Sequence, residues 1–151
     1  MHTLNESLEA TIRLLPLPKP VADVDPNAVV VSTADCELTY GELDRWSNRL
    51  ARLLLSRGVG RNTRVALAID TQVEAVVTER AIVKIGAIAM PVGAGESSAL
   101  GTFVGVTTKA RRAELNDAID WLVLDERSTL QRYLAGSDAP LTADDMAIAA
   151  A

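Results

Sequence analysis

The stretch Glu37-Leu-Thr-Tyr-Gly-Glu-Leu-Asp44 marks the start of a well-specified helix. Thr39 and Glu42 have the spacing of a capping box, in which each side chain accepts a hydrogen bond from the backbone N–H of the other residue. After this start, apolar side chains recur at intervals of three and four, which indicates one buried face. These apolar residues are Leu43, Trp46, Leu50, Ala51, Leu53 and Leu54. Gly58 suits the left-handed conformation that ends many helices. The segment is therefore predicted to be an amphipathic helix.

The polar residues of this helix are predicted to face solvent. They are Arg45, Asn48, Arg49 and Arg52.

The rest of the chain alternates between short apolar runs and helical patterns. Apolar runs bounded by turn residues favour buried strands. The predicted strands are residues 28–32, 36–39, 64–69, 87–92, 103–107 and 120–125, and the further predicted helices are residues 1–15, 72–85, 109–118 and 128–134. This order predicts an α/β domain with a layered, mostly parallel sheet flanked by helices and preceded by an N-terminal β hairpin.

Local signals refine these boundaries. Thr71 and Glu74 have the spacing of a second capping box, and Thr108 is a candidate cap for the helix that follows it. Residues 93–101 are predicted to be a loop, and the end of the chain is predicted to be an alanine-rich tail. Residues 1–24 are expected to be an extension or linker, and residues 25–151 a domain.

Composition excludes several functional classes. A net charge of −5 without a basic stripe argues against a nucleic-acid partner. Cys36 and His2 are the only cysteine and histidine, so no Cys/His metal site is expected. The short basic cluster of Lys109, Arg111 and Arg112 is interpreted as a solvated helix face. No apolar run is long enough for a transmembrane helix and no secretory signal is present, so a cytoplasmic location without membrane contact is expected.

Three regions of the chain, the first of which contains two neighbouring stretches, resemble one protein family. Leu38-Thr-Tyr-Gly-Glu-Leu43 resembles the first core motif of adenylate-forming enzymes, and Ser47-Asn-Arg-Leu-Ala51 resembles the helix that follows it in nonribosomal peptide synthetase adenylation domains. Ile82-Val-Lys-Ile-Gly-Ala-Ile-Ala-Met-Pro-Val92 resembles the second core motif. The segment from Gly105-Val-Thr-Thr-Lys109 to Trp121-Leu-Val-Leu-Asp-Glu126 is similar to the corresponding synthetase region. The resemblance covers residues 25–145 and implies the N-terminal subdomain of an adenylation domain, a partial adenylate-forming fold.

The chain departs from the family pattern at several positions. Ile88 or Ala89 replaces the usual aromatic of the second motif, and Gly93 stands where aspartate is common. The family's Ser/Thr/Gly-rich phosphate loop would follow Ala147, but the sequence reads Ile-Ala-Ala-Ala151 there. A phosphate cradle needs backbone N–H groups presented by glycines, with hydroxyls or a lysine. The resemblance therefore implies a domain truncated before its ATP loop.

No other motif is assigned to chemistry. Gly93-Ala-Gly95 with Glu96-Ser-Ser98 lacks the ending of a P-loop, so it is interpreted as an ordinary loop. Asp144-Asp145 is interpreted as a solvated turn or a helix start. Trp46 and Trp121 are interpreted as core anchors.

Two lysines belong to motifs other than the one that carries the family's catalytic lysine. They are Lys84 and Lys109, and neither is assigned that role. We therefore expect no catalytic, cofactor-binding or metal-binding residue in this chain.

Three functional hypotheses follow. The first is a truncated, catalytically inactive adenylation fragment with a structural or docking role in a nonribosomal peptide synthetase. The second is one half of a split adenylate-forming enzyme, completed by a separate chain. The third is a relative of fatty-acyl adenylate or coenzyme A ligases. ATP and Mg²⁺ are expected only for a complete family domain, and the expected partners are the remaining adenylation, condensation or carrier domains, or a second copy of the chain.

Overall fold

The computed structural model describes residues 25–92, 102–115 and 117–150. It divides the chain into two compact units, residues 1–44 and residues 45–151. The helix predicted over residues 1–15 and the loop predicted over residues 93–101 lie outside the described residues.

The first unit contains the predicted hairpin. Strands β1 (Val29–Ser32) and β2 (Glu37–Thr39) pair antiparallel. Thr33 closes the turn between them, because its hydroxyl donates to the Cys36 carbonyl at 3.1 Å and accepts from the Cys36 N–H at 3.1 Å.

Helix α1 (Tyr40–Ser56) begins directly after the hairpin. The N–H of Thr39 donates to the Glu42 carboxylate at 3.0 Å, and the N–H of Glu42 donates to the Thr39 hydroxyl at 3.1 Å. The predicted capping box is confirmed.

The second unit is built on a four-stranded sheet. Its strands are β3 (Arg64–Ala68), β4 (Ile88–Pro91), β5 (Thr102–Thr107) and β6 (Asp120–Val123), in the order β4-β3-β5-β6. All three pairings are parallel, as the unbroken apolar runs predicted.

Four further helices follow. They are α2 (Gln72–Ile85), α3 (Lys109–Arg112), α4 (Arg127–Ala135) and α5 (Ala143–Ala150). Gly58 and Gly86 have positive φ angles of 91° and 84° and follow the ends of α1 and α2, as expected for left-handed helix ends. Among the described residues, none of the helices combines the length and apolar character that crossing a bilayer requires.

Both faces of the sheet are buried. One face carries a hydrophobic cluster of Ala66, Ala68, Val92, Leu115, Ile119, Trp121 and Val123. Because side chains alternate along a strand, the opposite face carries Val65, Leu67, Val104, Val106 and Leu122, which are also buried.

Three predictions about local structure were wrong. The helix predicted over residues 109–118 ends at Arg112, because the next N–H groups, of Glu114 and Leu115, donate to carbonyls three rather than four residues back. Thr71 occupies the N-cap position of α2 but makes no side-chain capping hydrogen bond, so the second capping box does not form. Thr108 likewise precedes α3 without a side-chain cap.

The predicted alanine-rich tail is helix α5. A capping box starts it, since the N–H of Thr142 donates to Asp145 Oδ2 at 2.8 Å and the N–H of Asp145 donates to the Thr142 hydroxyl at 3.2 Å. Alanine has the highest helix propensity of any residue, which favours continuation of the helix.

Two polar residues predicted to face solvent are buried. Asn48 on α1 is 2% exposed, and Arg111 on α3 is 7% exposed. The Arg111 guanidinium lies between the carboxyl ends of two strands, within 3.2 Å of Asp70 after β3 and 3.4 Å of the Val92 carbonyl after β4. Burial of these groups is compensated by polar contacts that sequence periodicity does not reveal.

Candidate functional site

The topology of the sheet places a crevice between β3 and β5. The chain leaves β3 through α2 toward β4 on one side, and it leaves β5 through α3 toward β6 on the other. In open α/β sheets, ligands bind outside the carboxyl ends of the strands where the connections diverge in this way. Thr71 and Thr108 follow the two diverging strands at this edge of the sheet.

A pocket of about 520 Å³ opens at this edge, within the second unit. Ligand sites commonly have volumes of about 300–1,000 Å³. Its walls are mostly apolar and come from α1, α2 and α4, with the residues that follow β3, β5 and β6 completing it. The lining residues are Trp46, Arg49, Leu50, Thr71, Val73, Glu74, Val77, Thr108, Ala110, Leu124, Asp125, Thr129, Leu130, Tyr133 and Leu134.

Tyr133 and Arg49 form the main polar contact of the pocket wall. The Arg49 guanidinium carbon lies 5.8 Å from the centre of the Tyr133 ring, within the range of a cation–π interaction. The Tyr133 hydroxyl donates to the Trp46 carbonyl at 3.3 Å, which links α4 to α1. The Arg49 side chain also lies 3.8 Å from the Asp138 carboxylate. Its Nε is buried and has no hydrogen-bond partner among the described residues.

Burial raises the pKa of Tyr133 to about 12, with the charge of Arg49 opposing this effect and that of Asp138 adding to it. The folded chain therefore holds the phenol proton more tightly than the unfolded chain, whose tyrosine pKa is about 10. The stabilisation is fully present below about pH 10 and is lost as the pH rises toward about 12.

This shift gives a direct test of the pocket wall. Tyr40 and Tyr133 are the only tyrosines, so Tyr40→Phe leaves one phenol to titrate. We expect the ultraviolet absorbance of its tyrosinate to appear with a midpoint of about 12. Tyr133→Phe in the same background is the control, because it should remove the step. A midpoint near 10, the ordinary value, would show that Tyr133 is not buried against α1.

One further polar group of the pocket, Asp125, serves local structure. Asp125 accepts a hydrogen bond from the N–H of Lys109 at 2.8 Å and so fixes the start of α3. The lining residues include no histidine, cysteine or lysine. Across residues 25–92, 102–115 and 117–150, no three His, Cys, Asp or Glu side chains lie close enough to bind a metal ion. The pocket is suited to binding an apolar group.

Lys84 of the second motif lies in a structural network. Its Nζ donates to Asn48 Oδ1 at 2.7 Å, and Asn48 Nδ2 donates to the Asp138 carbonyl at 2.9 Å. The pair joins α1, α2 and the loop after α4. Sequence reasoning missed Asn48 as a structural residue, although its place within the Ser47–Ala51 stretch of the resemblance was a usable signal.

Arg52 holds the same loop from the next turn of α1. Its guanidinium donates to the carbonyls of Ser137, Ala139 and Pro140 at 2.6–3.2 Å. It also contacts the Asp145 carboxylate at 3.1 Å. The loop between α4 and α5 is thus fixed by side chains from α1.

Asp144 and Asp145 stand at the start of α5, which confirms their interpretation as a helix start. Hydrogen bonds from Thr142, and then the nearby Arg52, lower the pKa of Asp145. Asp145 therefore stabilises the helix start in its ionised form and loses that role as the pH falls through its pKa.

The two tryptophans differ in how deeply they are buried. Trp121 is buried in the core, as predicted, whereas Trp46 is half-buried and lines the pocket. The glycine-rich stretch Gly93–Ser98 lies outside the described residues.

Comparison with known proteins identifies the family. The family model described as AMP-binding enzyme matches residues 19–117, which is more than half of the chain. A dimodular nonribosomal peptide synthase of Bacillus subtilis (strain 168) is 41% identical over 70 residues, which are 46% of this chain and 3% of that protein. A medium/long-chain-fatty-acid–CoA/3-oxocholest-4-en-26-oate–CoA ligase of Mycobacterium marinum is 32% identical over 81 residues, which are 54% of this chain and 15% of that protein.

Solved structures of other proteins share the fold of this chain. The nonribosomal peptide synthetase FmoA3 superposes with a TM-score of 0.66 at 24% identity, covering 93% of this chain and 15% of that chain. The chain spans only a small part of the curated relatives it matches, between 1% and 15% of their lengths. The α/β architecture is that of part of the adenylate-forming fold, and the match to the family model includes the stretches Leu38–Leu43 and Ile82–Val92. The chain belongs to the AMP-binding enzyme family.

Proposed function

We propose that this chain is a non-catalytic portion of a nonribosomal peptide synthetase adenylation domain, with a structural or docking role in the synthetase. In this proposal, residues 1–24 are an extension and residues 25–151 belong to the N-terminal subdomain of such a domain. The remaining adenylation, condensation or carrier domains would be its partners. ATP and Mg²⁺ would be needed only by the complete domain.

One observation carries this proposal: the polar residues of the family motifs are engaged in structural contacts. Thr39 and Glu42 cap α1. Lys84 donates to Asn48, and Asn48 in turn donates to the Asp138 carbonyl in the loop after α4. Side chains committed in this way stabilise the fold.

The test is amino-acid-dependent exchange of pyrophosphate into ATP by the purified chain. We expect no exchange above background with any of the twenty amino acids, because Thr39, Glu42 and Lys84 of the family motifs are engaged in structural contacts. A complete adenylation domain of a related synthetase, assayed in parallel, verifies the assay. Exchange that depends on an added amino acid and on this chain alone would contradict the proposal.

A split enzyme is the second candidate. It is favoured by two exposed apolar side chains beside the pocket, Leu130 at 44% and Leu134 at 64% exposure. Apolar surface of this kind is typical of an interface. The similarity to the Mycobacterium marinum ligase leaves both amino and acyl acids as possible substrates of such an enzyme.

A further inference from the structure

We propose that residues 136–150 form a strap that opens and closes as a unit on α1, and that the Arg52 side chain holds this strap closed. The strap consists of the loop after α4 and helix α5 (Ala143–Ala150). When it opens, the loop and α5 separate from α1 while the four-stranded sheet stays folded. This conformational device is independent of the proposed function, which concerns partners and catalysis.

The strap is not held in place by a hydrophobic core. Across residues 136–146, all of which the structure describes, no residue is buried. The central strands of the sheet differ, because Val65, Ala66, Val104 and Val106 are each no more than 1% exposed. Burial of apolar surface is the main favourable contribution to folding. Opening of the strap therefore requires less free energy than unfolding of the sheet.

Two side chains of α1 hold the loop of the strap through its backbone. Four consecutive carbonyl groups, those of residues 137–140, accept hydrogen bonds from Asn48 and Arg52. The Arg52 guanidinium donates to the carbonyls of Ser137, Ala139 and Pro140 at 3.2, 2.6 and 3.2 Å. Asn48 Nδ2 donates to the Asp138 carbonyl at 2.9 Å. The position of the loop is thus set by donors on α1.

Arg52 also joins the loop to α5. Its guanidinium donates to Asp145 Oδ2 at 3.1 Å. The same oxygen accepts from the N–H of Thr142 at 2.8 Å and from the Thr142 hydroxyl at 3.0 Å, which caps α5. Helix α5 has only 8 residues, and isolated helices shorter than about 12–15 residues are marginal in water. The helix therefore depends on its contact with α1, and Arg52 is the side chain that bonds to both parts of the strap.

The ionised form of Asp145 belongs to the closed strap. Arg52 of α1 faces this carboxylate, and Asp144 precedes it in sequence. Hydrogen bonds from Thr142, and then the nearby Arg52, lower the pKa of Asp145. The contribution of Asp145 to closure is therefore fully present above the ordinary aspartate pKa of about 3.9, and it is lost as the pH falls through the lowered value. Asp145→Asn removes the charge at neutral pH.

Native-state hydrogen exchange, read by mass spectrometry of peptides, tests the proposal. We expect the amides of residues 146–150 to exchange about tenfold or more faster in Arg52→Ala than in the wild type, because several charge-assisted hydrogen bonds are lost. The amides of β3 and β5 should exchange at the wild-type rate. Arg45→Ala is the matched control, since it removes an arginine from the exposed surface of the same helix and should leave exchange in the strap unchanged.

Two further variants examine how Arg52 acts. Arg52→Lys keeps the positive charge but replaces the planar guanidinium by a single ammonium, which cannot reach the three carbonyls and the carboxylate together. We expect its strap to exchange faster than that of the wild type. Asp145→Asn should also accelerate exchange, by less than Arg52→Ala does, because the bonds from Arg52 to the loop carbonyls remain.

Three outcomes would overturn the inference. Equal exchange of the strap in the wild type and in Arg52→Ala would show that Arg52 does not hold it closed. Parallel loss of protection in the strap, β3 and β5 of Arg52→Ala would show that the strap does not open separately from the sheet. Exchange of the wild-type strap at the rate of an unstructured peptide would show that it has no closed state.

Discussion

The Gly105→Ala variant is expected to melt roughly 10 °C below the wild type, because the added methyl group has no room. Gly105 lies on β5 beside Trp121 of β6, and the two residues are register partners in the sheet. A Cβ on Gly105 would lie 2.6 Å from Cε3 and 2.9 Å from Cη2 of the Trp121 ring, and closer still to Cζ3. The clash is removed only if the ring or the strand moves, and overpacking of this kind costs about 3 kcal/mol. Thermal unfolding followed by circular dichroism measures the effect.

Gly136→Ala is the matched control for this prediction. A Cβ on Gly136 would lie 3.5 Å from the Tyr133 carbonyl oxygen and 3.7 Å from that of Arg132, and the φ of −81° at this position suits alanine. We expect a change of less than about 0.5 kcal/mol there. The double variant Gly105→Ala with Trp121→Leu should recover part of the stability lost in Gly105→Ala, since the smaller side chain leaves space for the methyl group. Similar melting temperatures for Gly105→Ala and Gly136→Ala would show that the ring does not pack on this glycine.

Local patterns in the sequence were sufficient to predict most of the fold. The Thr39–Glu42 box, Gly58 and Gly86 each act through neighbours a few residues away, and the structure contains all three features. The nearly unbroken apolar run at β3 predicted a parallel strand buried on both faces, because a half-exposed strand would alternate. Each of these features is decided by residues that lie close together in the sequence, so the sequence alone was enough to predict it.

Predictions failed where distant residues decide the outcome. Asn48 and Arg111 were assigned to solvent because polar residues usually face water. Their partners are 36 and 41 residues away in sequence, at Lys84 and Asp70. The Thr71–Glu74 spacing also matched a capping box that does not form, since the same spacing occurs without the required side-chain geometry.

The candidate pocket could not be predicted for the same reason. Its walls combine residues from α1, α2 and α4 with the ends of three strands, and only the strand order brings them together. The interpretation of Trp46 as a core residue followed from its helical spacing, but spacing does not show how completely a face is covered. The exposure of Leu130 and Leu134 beside the pocket could not be predicted either, because it depends on the position of α4.

The Asn48→Ala variant is expected to lose about 3 kcal/mol of stability. Asn48 accepts from the Lys84 ammonium at 2.7 Å and donates to the Asp138 carbonyl at 2.9 Å, and it is buried. Alanine removes a hydrogen bond to a charged ammonium, which contributes about 1.5–3 kcal/mol, and a hydrogen bond to a carbonyl, which contributes about 0.5–1.5 kcal/mol. Arg45→Ala on the exposed side of the same helix should change stability by less than about 0.5 kcal/mol. Urea unfolding of both variants measures the difference.

Two further variants separate the hydrogen bonds of Asn48 from its packing. Asn48→Asp keeps an acceptor for Lys84 but removes the donor to the Asp138 carbonyl, so its loss of stability should be smaller than that of alanine if the lysine contact dominates. In a double-mutant cycle, Lys84→Met combined with Asn48→Ala should be less destabilising than the sum of the single changes, because both remove the same bond. Additive effects would mean that Lys84 and Asn48 act independently. The motif lysine would then need a role other than fixing α1, α2 and the loop that leads to α5.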